Sequence, residues 1–484
     1  MEQSSDQTPE RLSEQTPQPS PDQSPGRTPE RPPEQPPGQS RAGRDLTSGS
    51  ILGNVLYMGV PSMLGFAAMV VYQLTDMFWV ARIGTEAVAA ITLFGSIMWV
   101  LGSVNSMVGS GSVAVISRRY GEKDLDGTRT AIEQTLVLKF LIGLPMGLIG
   151  LFVIRYVLGI MTDEPPLVEL GSSYGRILMA GLPFMFTSYT VYTALRGIGD
   201  APKAMLIMFF STVLNMGLDP LFIIKFGWGV EGAAIATVTS AVCAVTVGLL
   251  VLRFGRIHVR IQFAGFRFDT AVMWQIIKIG FPPFLEAIAR SVAFWLIAIF
   301  VASYGTTIVA SYGICMRIIE FGIVFAVGLE LGASAIVGQS LGAGKPDRAY
   351  ATARNAALLA LVIAVCLSAA EAIFAGSIMG VFGKSPEVQT VGAGVLRYFV
   401  LAQPFVAVAI ALSSAFYGSG NTWPPTITGL LTAWVIWVPA AAISVYLLEL
   451  PPRVMWMIMI FQHIVYLVML LIWFRMGKWT ERKV

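Results

Sequence analysis

The sequence predicts an all-α integral membrane protein, with twelve transmembrane helices in two six-helix lobes related by a pseudo-two-fold axis along the membrane normal. Three observations carry this expectation. The 484 residues are 55% hydrophobic and only 13% charged, too apolar for a water-soluble chain of that length. Twelve apolar segments are long enough, at about 20 residues each, to cross a hydrocarbon core. The chain also repeats itself without gaps at a displacement of 221 residues: Gly59-Val60-Pro61 falls on Gly280-Phe281-Pro282, and Gly111 falls on Gly332. Between 59 and 205, eight of eighteen glycines and three of six prolines coincide, so the halves are read as one duplicated unit.

Residues 1–45 hold ten of the 27 prolines and no aromatic residue, the composition of a disordered tail. They lack the apolar core of a signal peptide, so insertion is expected to fall to the first span. The N-terminal lobe, 46–255, follows with spans at 52–80, 88–117, 134–155, 172–195, 204–225 and 231–252. The first contains Pro61, whose missing N–H removes a helical hydrogen bond and predicts a kink. Gly84 separates it from the second, which ends at the turn Tyr120-Gly121-Glu122-Lys123. Gly159 and Pro165 bracket the connection to the fourth, and Gly197-Ile198-Gly199-Asp200 closes that one. The fifth carries Asn215 and Asp219 just before Pro220.

A linker at 256–272 leads to the C-terminal lobe, 273–476, with spans at 273–302, 308–338, 354–380, 394–416, 426–447 and 454–475. The first four match their counterparts through Gly280, Gly305, Gly332, Gly342, Gly380, Pro386, Pro404 and Gly418. The last two correspond only in position. A short basic tail, 477–484, ends the chain. An even number of spans per half inserts both halves the same way up, which places the symmetry axis along the membrane normal.

Basic residues fix the orientation. One face collects 19 Lys and Arg and the other only five, Arg82, Arg155, Lys225, Lys384 and Arg453, so both termini are expected in the cytoplasm and the chain in the cell membrane. Two parallel lobes are what alternating access requires, because rocking them exposes a central site to each side in turn. A channel would need a selectivity filter, and no segment reads as one. Cys243, Cys315 and Cys366 stand singly, His258 and His463 are isolated, and no nucleophile–base set occurs at a recognisable spacing, so an enzyme is not expected. Nothing in the charge pattern implies nucleic acid.

Several phrases in order resemble the MATE (multidrug and toxic compound extrusion) family of antiporters. They are Gln73-Leu-Thr-Asp76-Met-Phe-Trp-Val-Ala-Arg-Ile-Gly84, Tyr120-Gly121-Glu122-Lys123, Leu195-Arg196-Gly197-Ile198-Gly199-Asp200, Gly232-Ala-Ala-Ile-Ala-Thr237 and Val337-Gly338-Gln339-Ser340-Leu341-Gly342-Ala343-Gly344. The phrase Asn215-Met-Gly-Leu-Asp219-Pro220 resembles the DinF-like branch. The resemblance covers about 52 to 476 and implies the MATE/MOP-type fold. It also implies a secondary active multidrug efflux antiporter, exchanging organic cationic or amphipathic compounds for H+ or Na+. The alternative is a lipid-linked precursor flippase of the same superfamily. Small organic substrates and membrane lipid are the implied partners, with no cofactor beyond the coupling ion and no oligomer required: a monomer is expected.

Carboxylates inside spans are costly unless paired, hydrated or protonated, so each is a candidate. Asp76 leads, late in span 1 with Tyr72 one turn before it. Asn215 and Asp219 are four apart and share one face of span 5. By the resemblance, Asp76 is the ion-coupling aspartate, Tyr72 its neighbour and Pro61 the bending proline, while Tyr174 and Thr237 line the same cavity. Asp76, Asn215, Asp219 and Thr237 together offer oxygens to a Na+, and a protonatable carboxylate suffices for H+, so the ion stays open. Tyr192 stands where many relatives carry a second asparagine. In the C-terminal lobe, Glu286 with Arg290 and Arg317 with Glu320 read as helical ion pairs. Glu286 and Glu330, the latter without an evident local partner, form a second tier for cation or substrate. The glutamate used by other branches falls on Arg290 here, so that role does not carry over.

Overall fold

The computed structural model describes residues 44–383 and 385–482; the expected N-terminal tail lies outside them except for Arg44 and Asp45. Among these residues twelve helices are long and apolar enough to span a membrane. The α-helices run, in order, α1 (Ile51–Val80), α2 (Thr85–Gly121), α3 (Leu125–Met161), α4 (Pro165–Gly197), α5 (Ala201–Pro220), α6 (Gly229–Phe254), α7 (Thr270–Ala302), α8 (Thr306–Gly342) and α9 (Pro346–Ile373). Then follow a short α10 (Ala375–Phe382), α11 (Pro386–Ser419), α12 (Trp423–Leu431), α13 (Val438–Ala442) and α14 (Pro452–Arg475). One π-helical stretch, Thr432–Trp437, joins α12 to α13 and a second, Ile443–Leu447, continues from α13, so that together they form the single span Trp423–Leu447. Several helices run past the expected ends: α2 by a turn through Arg118 and Arg119, and α3 by more than two turns at its start, where Asp126, Arg129 and Glu133 make the helix too polar to be read as a span.

The packing is two-fold in pattern. Within the first half α3 packs on α4, α2 on α4, α4 on α6 and α1 on α5; in the second, α9 packs on α11, α8 on α11, α11 on α14 and α7 on α12. Across the halves α1 packs on α8 and α7 on α2, with α2 and α8 meeting on the axis. Three repeated glycine pairs, Gly59 with Gly280, Gly111 with Gly332 and Gly121 with Gly342, are contact points between the lobes. A Cβ on Gly111 would collide with the Ile276 carbonyl, and one on its counterpart Gly332 would sit 2.8 Å from the Gly59 nitrogen. Gly121 lies equally tight against Gln339, and Gly342 against Arg118. Small residues thus let backbones touch where no side chain fits.

All of these contacts lie toward the end of the bundle that carries the ends of the described chain. Along the other halves of α2 and α8, Gly95, Gly102 and Gly313 have no neighbour within 4 Å, and Trp99 is exposed. The lobes are thus closed against each other at that end, while these residues of the other halves face open space.

Residues 44–50 form a strap across the closed end. Leu46 is buried against the turn after α4, its Cδ1 3.2 Å from where a Gly199 Cβ would stand. From the other lobe Arg348 donates from Nε to the Leu46 carbonyl at 3.0 Å, from Nη1 to Gly49 at 2.9 Å and from Nη2 to Ser48 at 2.6 Å. Lys345 donates to the Thr47 carbonyl at 2.8 Å. Partial burial alone would raise the Asp45 carboxyl, but hydrogen bonds from Thr47 and Ser48, with the Lys345 charge, hold it below the usual aspartate range.

Candidate functional site

Four helices of the first lobe converge on Asp76 and Asp219. α5 gives way to a π-helical turn, Leu221–Lys225, directly after Pro220, whose missing N–H disrupts the regular ladder there. Gly232, near the start of α6, lets that helix lie against this turn: a Cβ would stand 2.8 Å from the Phe222 carbonyl carbon. The approach brings Thr237, five residues further along α6, beside Asn215. In the orientation that satisfies both of its neighbours, the Asn215 amide donates to Asp219 Oδ2 at 3.0 Å and accepts from the Thr237 backbone N–H at 3.2 Å. The hydroxyls of Tyr72 on α1 and Thr237 lie 3.2 Å apart, tying α1 to α6.

Asp76 and Asp219 are both buried, and the Oδ1 of each has no hydrogen-bond partner. Neither takes part in an ion pair among the described residues. Asp76 acts electrostatically on Tyr72, Tyr174 and Asp219, so these groups share one site. Tyr174 on α4 is held edge-on against Phe94, with ring centroids 5.4 Å apart. Two carboxylates close together in a low dielectric cannot both stay bare; a cation between them or a proton on one relieves the repulsion. Six residues singled out in the sequence, Tyr72, Asp76, Tyr174, Asn215, Asp219 and Thr237, therefore come together.

The second-tier glutamates lie elsewhere. Glu286 accepts from Arg290 Nη1 at 3.2 Å, the expected helical pair. Glu330 does have a local partner, contrary to expectation: Ser334, one turn on, donates to its Oε1 at 2.9 Å. Arg317 and Glu320 do not form an ion pair among the described residues. Pro61 sits inside α1, which continues as α-helix through it from Ile51 to Val80.

The expectations above weighed carboxylates and passed over two cations. Lys139 lies inside span 134–155 and is fully buried, with no partner for its Nζ. The rule that flags Asp76 applies to it with equal force. Arg196, counted above with the loop after span 4, is instead within α4, 1% exposed, with Nε and Nη2 unpartnered.

A family model described as MatE matches residues 61–221 and 282–443. Its two starts are 282 minus 61, or 221, residues apart, the displacement of the internal repeat. The "Probable multidrug resistance protein YoeA" of Bacillus subtilis is 28% identical over 390 residues, covering 79% of this chain and 84% of its own length. The "Multidrug export protein MepA" of Staphylococcus saprophyticus is 23% identical over 390 residues, covering 80% of this chain and 86% of its own. A solved structure described as the outward-facing conformation of a multidrug resistance MATE family transporter of the MOP superfamily superposes with a TM-score of 0.85 at 26% identity. It covers 90% of this chain and 98% of that one.

Proposed function

The chain belongs to the MatE family and is a multidrug efflux transporter, and we propose that an inward-moving cation drives its export through the Asp76–Asp219 site. The observation that carries this reading is the pair of buried carboxylates, each with an oxygen left without a partner, brought together by α1 and α5. A bare pair of this kind holds a site's energy in reserve: occupancy by one cation draws α1 toward α5 and α6, and its loss lets them separate. The coupling ion is H+ or Na+. A proton needs only one carboxylate, whereas Na+ would use Asp76, Asn215, Asp219 and Thr237 together.

The substrates are organic cations or amphipathic compounds, taken up by a single chain in the cell membrane. With both termini cytoplasmic, as the basic residues favour, the closed end of the bundle faces the cytoplasm and the structure is outward-open. Pro61 leaves the Tyr57 carbonyl without its helical donor, which makes α1 the pliable element, and the tie from Tyr72 to Thr237 holds the one arrangement of α1 that ion occupancy would bias.

The test is export of ethidium from liposomes holding the full chain, under H+ and Na+ gradients imposed separately. Export driven by one gradient and weakened at least tenfold in Asp219→Asn supports the reading. Export that follows neither gradient, or an unaffected Asp219→Asn, rejects it.

A further inference from the structure

Lys139 and Arg196 form a second charged cluster that the cation site does not use. Lys139 reaches from α3 to the side of α2 that carries Gly109, where the Tyr189 ring fills the space beside the glycine: its Nζ lies over that ring as a cation–π contact, 4.5 Å from the centroid, and 3.7 Å from where a Gly109 Cβ would be. Arg196 lies two helical turns after Tyr189 on α4 and so on the same face, and the next residue, Gly197, borders the interface: its carbonyl accepts from Gln339 of α8 at 2.8 Å, and a Cβ there would meet Ile116 of α2. Three donors in this cluster, Lys139 Nζ and Arg196 Nε and Nη2, are buried and have no hydrogen-bond acceptor; the Tyr189 ring is the one contact that answers the Lys139 charge among the described residues.

The opposing lobe supplies only a partial counter-charge. Glu330 on α8 is the repeat counterpart of Gly109, 330 minus 109 being 221, so it faces the axis at the equivalent level. Its Oε1 is occupied by Ser334, and it makes no ion pair with either cation among the described residues. A guanidinium does not lose its proton inside a protein, so Arg196 remains a buried cation with a free fork of N–H groups. Such a fork matches carboxylate and phosphate oxygens.

We propose that Lys139 and Arg196 form an anion-recognition site at the closed end of the lobe interface, which takes a carboxylate or phosphate group. In this conformation the contacts at Gly111, Gly121 and Gly342 seal the site, so it fills when the lobes part at that end. The chemistry belongs to one lobe: the repeat counterparts of Lys139 and Arg196 are Ala360 and Tyr417, neither of which carries a cation. The inference extends the export reading to anionic substrates, but the binding step itself does not depend on ion coupling. A lipid headgroup and a soluble organic anion offer the same group.

The test is fluorescence anisotropy of carboxyfluorescein with the purified full chain, without any ion gradient, so that failure of ion coupling leaves it intact. The wild type is expected to bind the dye, with Lys139→Gln and Arg196→Gln binding at least tenfold more weakly and Lys139→Arg restoring affinity. Glu330→Gln, which removes the competing carboxylate, is expected to bind several-fold more tightly, an effect that loss of structure would not produce. Displacement by inorganic phosphate identifies a soluble-anion site and displacement by short-chain phosphatidylglycerol a headgroup site; either supports the assignment. Absence of dye binding by the wild type, wild-type affinity in Lys139→Gln, or weakening in Glu330→Gln overturns it.

Discussion

Asp76 and Asp219 are informative because each keeps one buried oxygen that nothing nearby satisfies. Their unpartnered oxygens set them apart from Glu286, whose charge is met by Arg290 a turn away. Tyr72→Phe tests how the site is held: it removes the hydroxyl contact to Thr237, costs about 1 kcal/mol at that contact, and should lower ion-driven dye export by a few-fold without abolishing it. At the surface, Asp45 has its carboxyl held below the ordinary range, so its contribution to the strap is complete above the unfolded aspartate pKa. That contribution is lost as pH falls through the lowered value. Protection of the amides at residues 46–50, taken relative to their intrinsic exchange rate at each pH, should fall on acidification in the wild type, and Asp45→Asn should flatten that acid limb. Asp76 and Asp219 were legible in the sequence because a carboxylate in an apolar span is conspicuous. Lys139 was equally conspicuous on the same ground, whereas the burial of Arg196 was hidden by its place in a glycine-rich turn phrase.

At the scale of helices, the repeated glycines separate contact from open space. Gly111→Ala pushes a methyl into the Ile276 carbonyl and should destabilise by about 1–3 kcal/mol, lowering the thermal midpoint in detergent. Gly95→Ala on the same helix meets nothing and should be neutral or raise stability by up to about 1 kcal/mol. Equal effects of the two would contradict the interface as described. Arg348→Ala removes three donors from the strap and should expose residues 46–50 to amide exchange. Helix number and approximate position could be read from hydropathy, because crossing a bilayer demands length and apolarity together. The π-helical stretches in the spans ending at Lys225 and Leu447 could not, since one extra residue per turn leaves no mark on composition.

For the whole molecule, symmetry resides in the scaffold and asymmetry in the chemistry. The same displacement that pairs Gly111 with Gly332 sets Asp76 opposite Ile297 and Asp219 opposite Ala440. Ile297 is buried in an apolar cluster with Trp437 and Ala441, so the second lobe fills with side chains the place where the first holds its carboxylates. The duplication was visible in the chain because close backbone contacts across the axis admit only glycine. Which end of the lobes is closed was not visible, since both conformations use the same residues. The central claim is that cation occupancy at Asp76 and Asp219 drives export, and gradient-driven dye export by Asp76→Asn in liposomes tests it most directly. The account predicts that coupled export falls at least tenfold, roughly 1.4 kcal/mol or more, under whichever gradient drives the wild type; full coupled export by Asp76→Asn would contradict it.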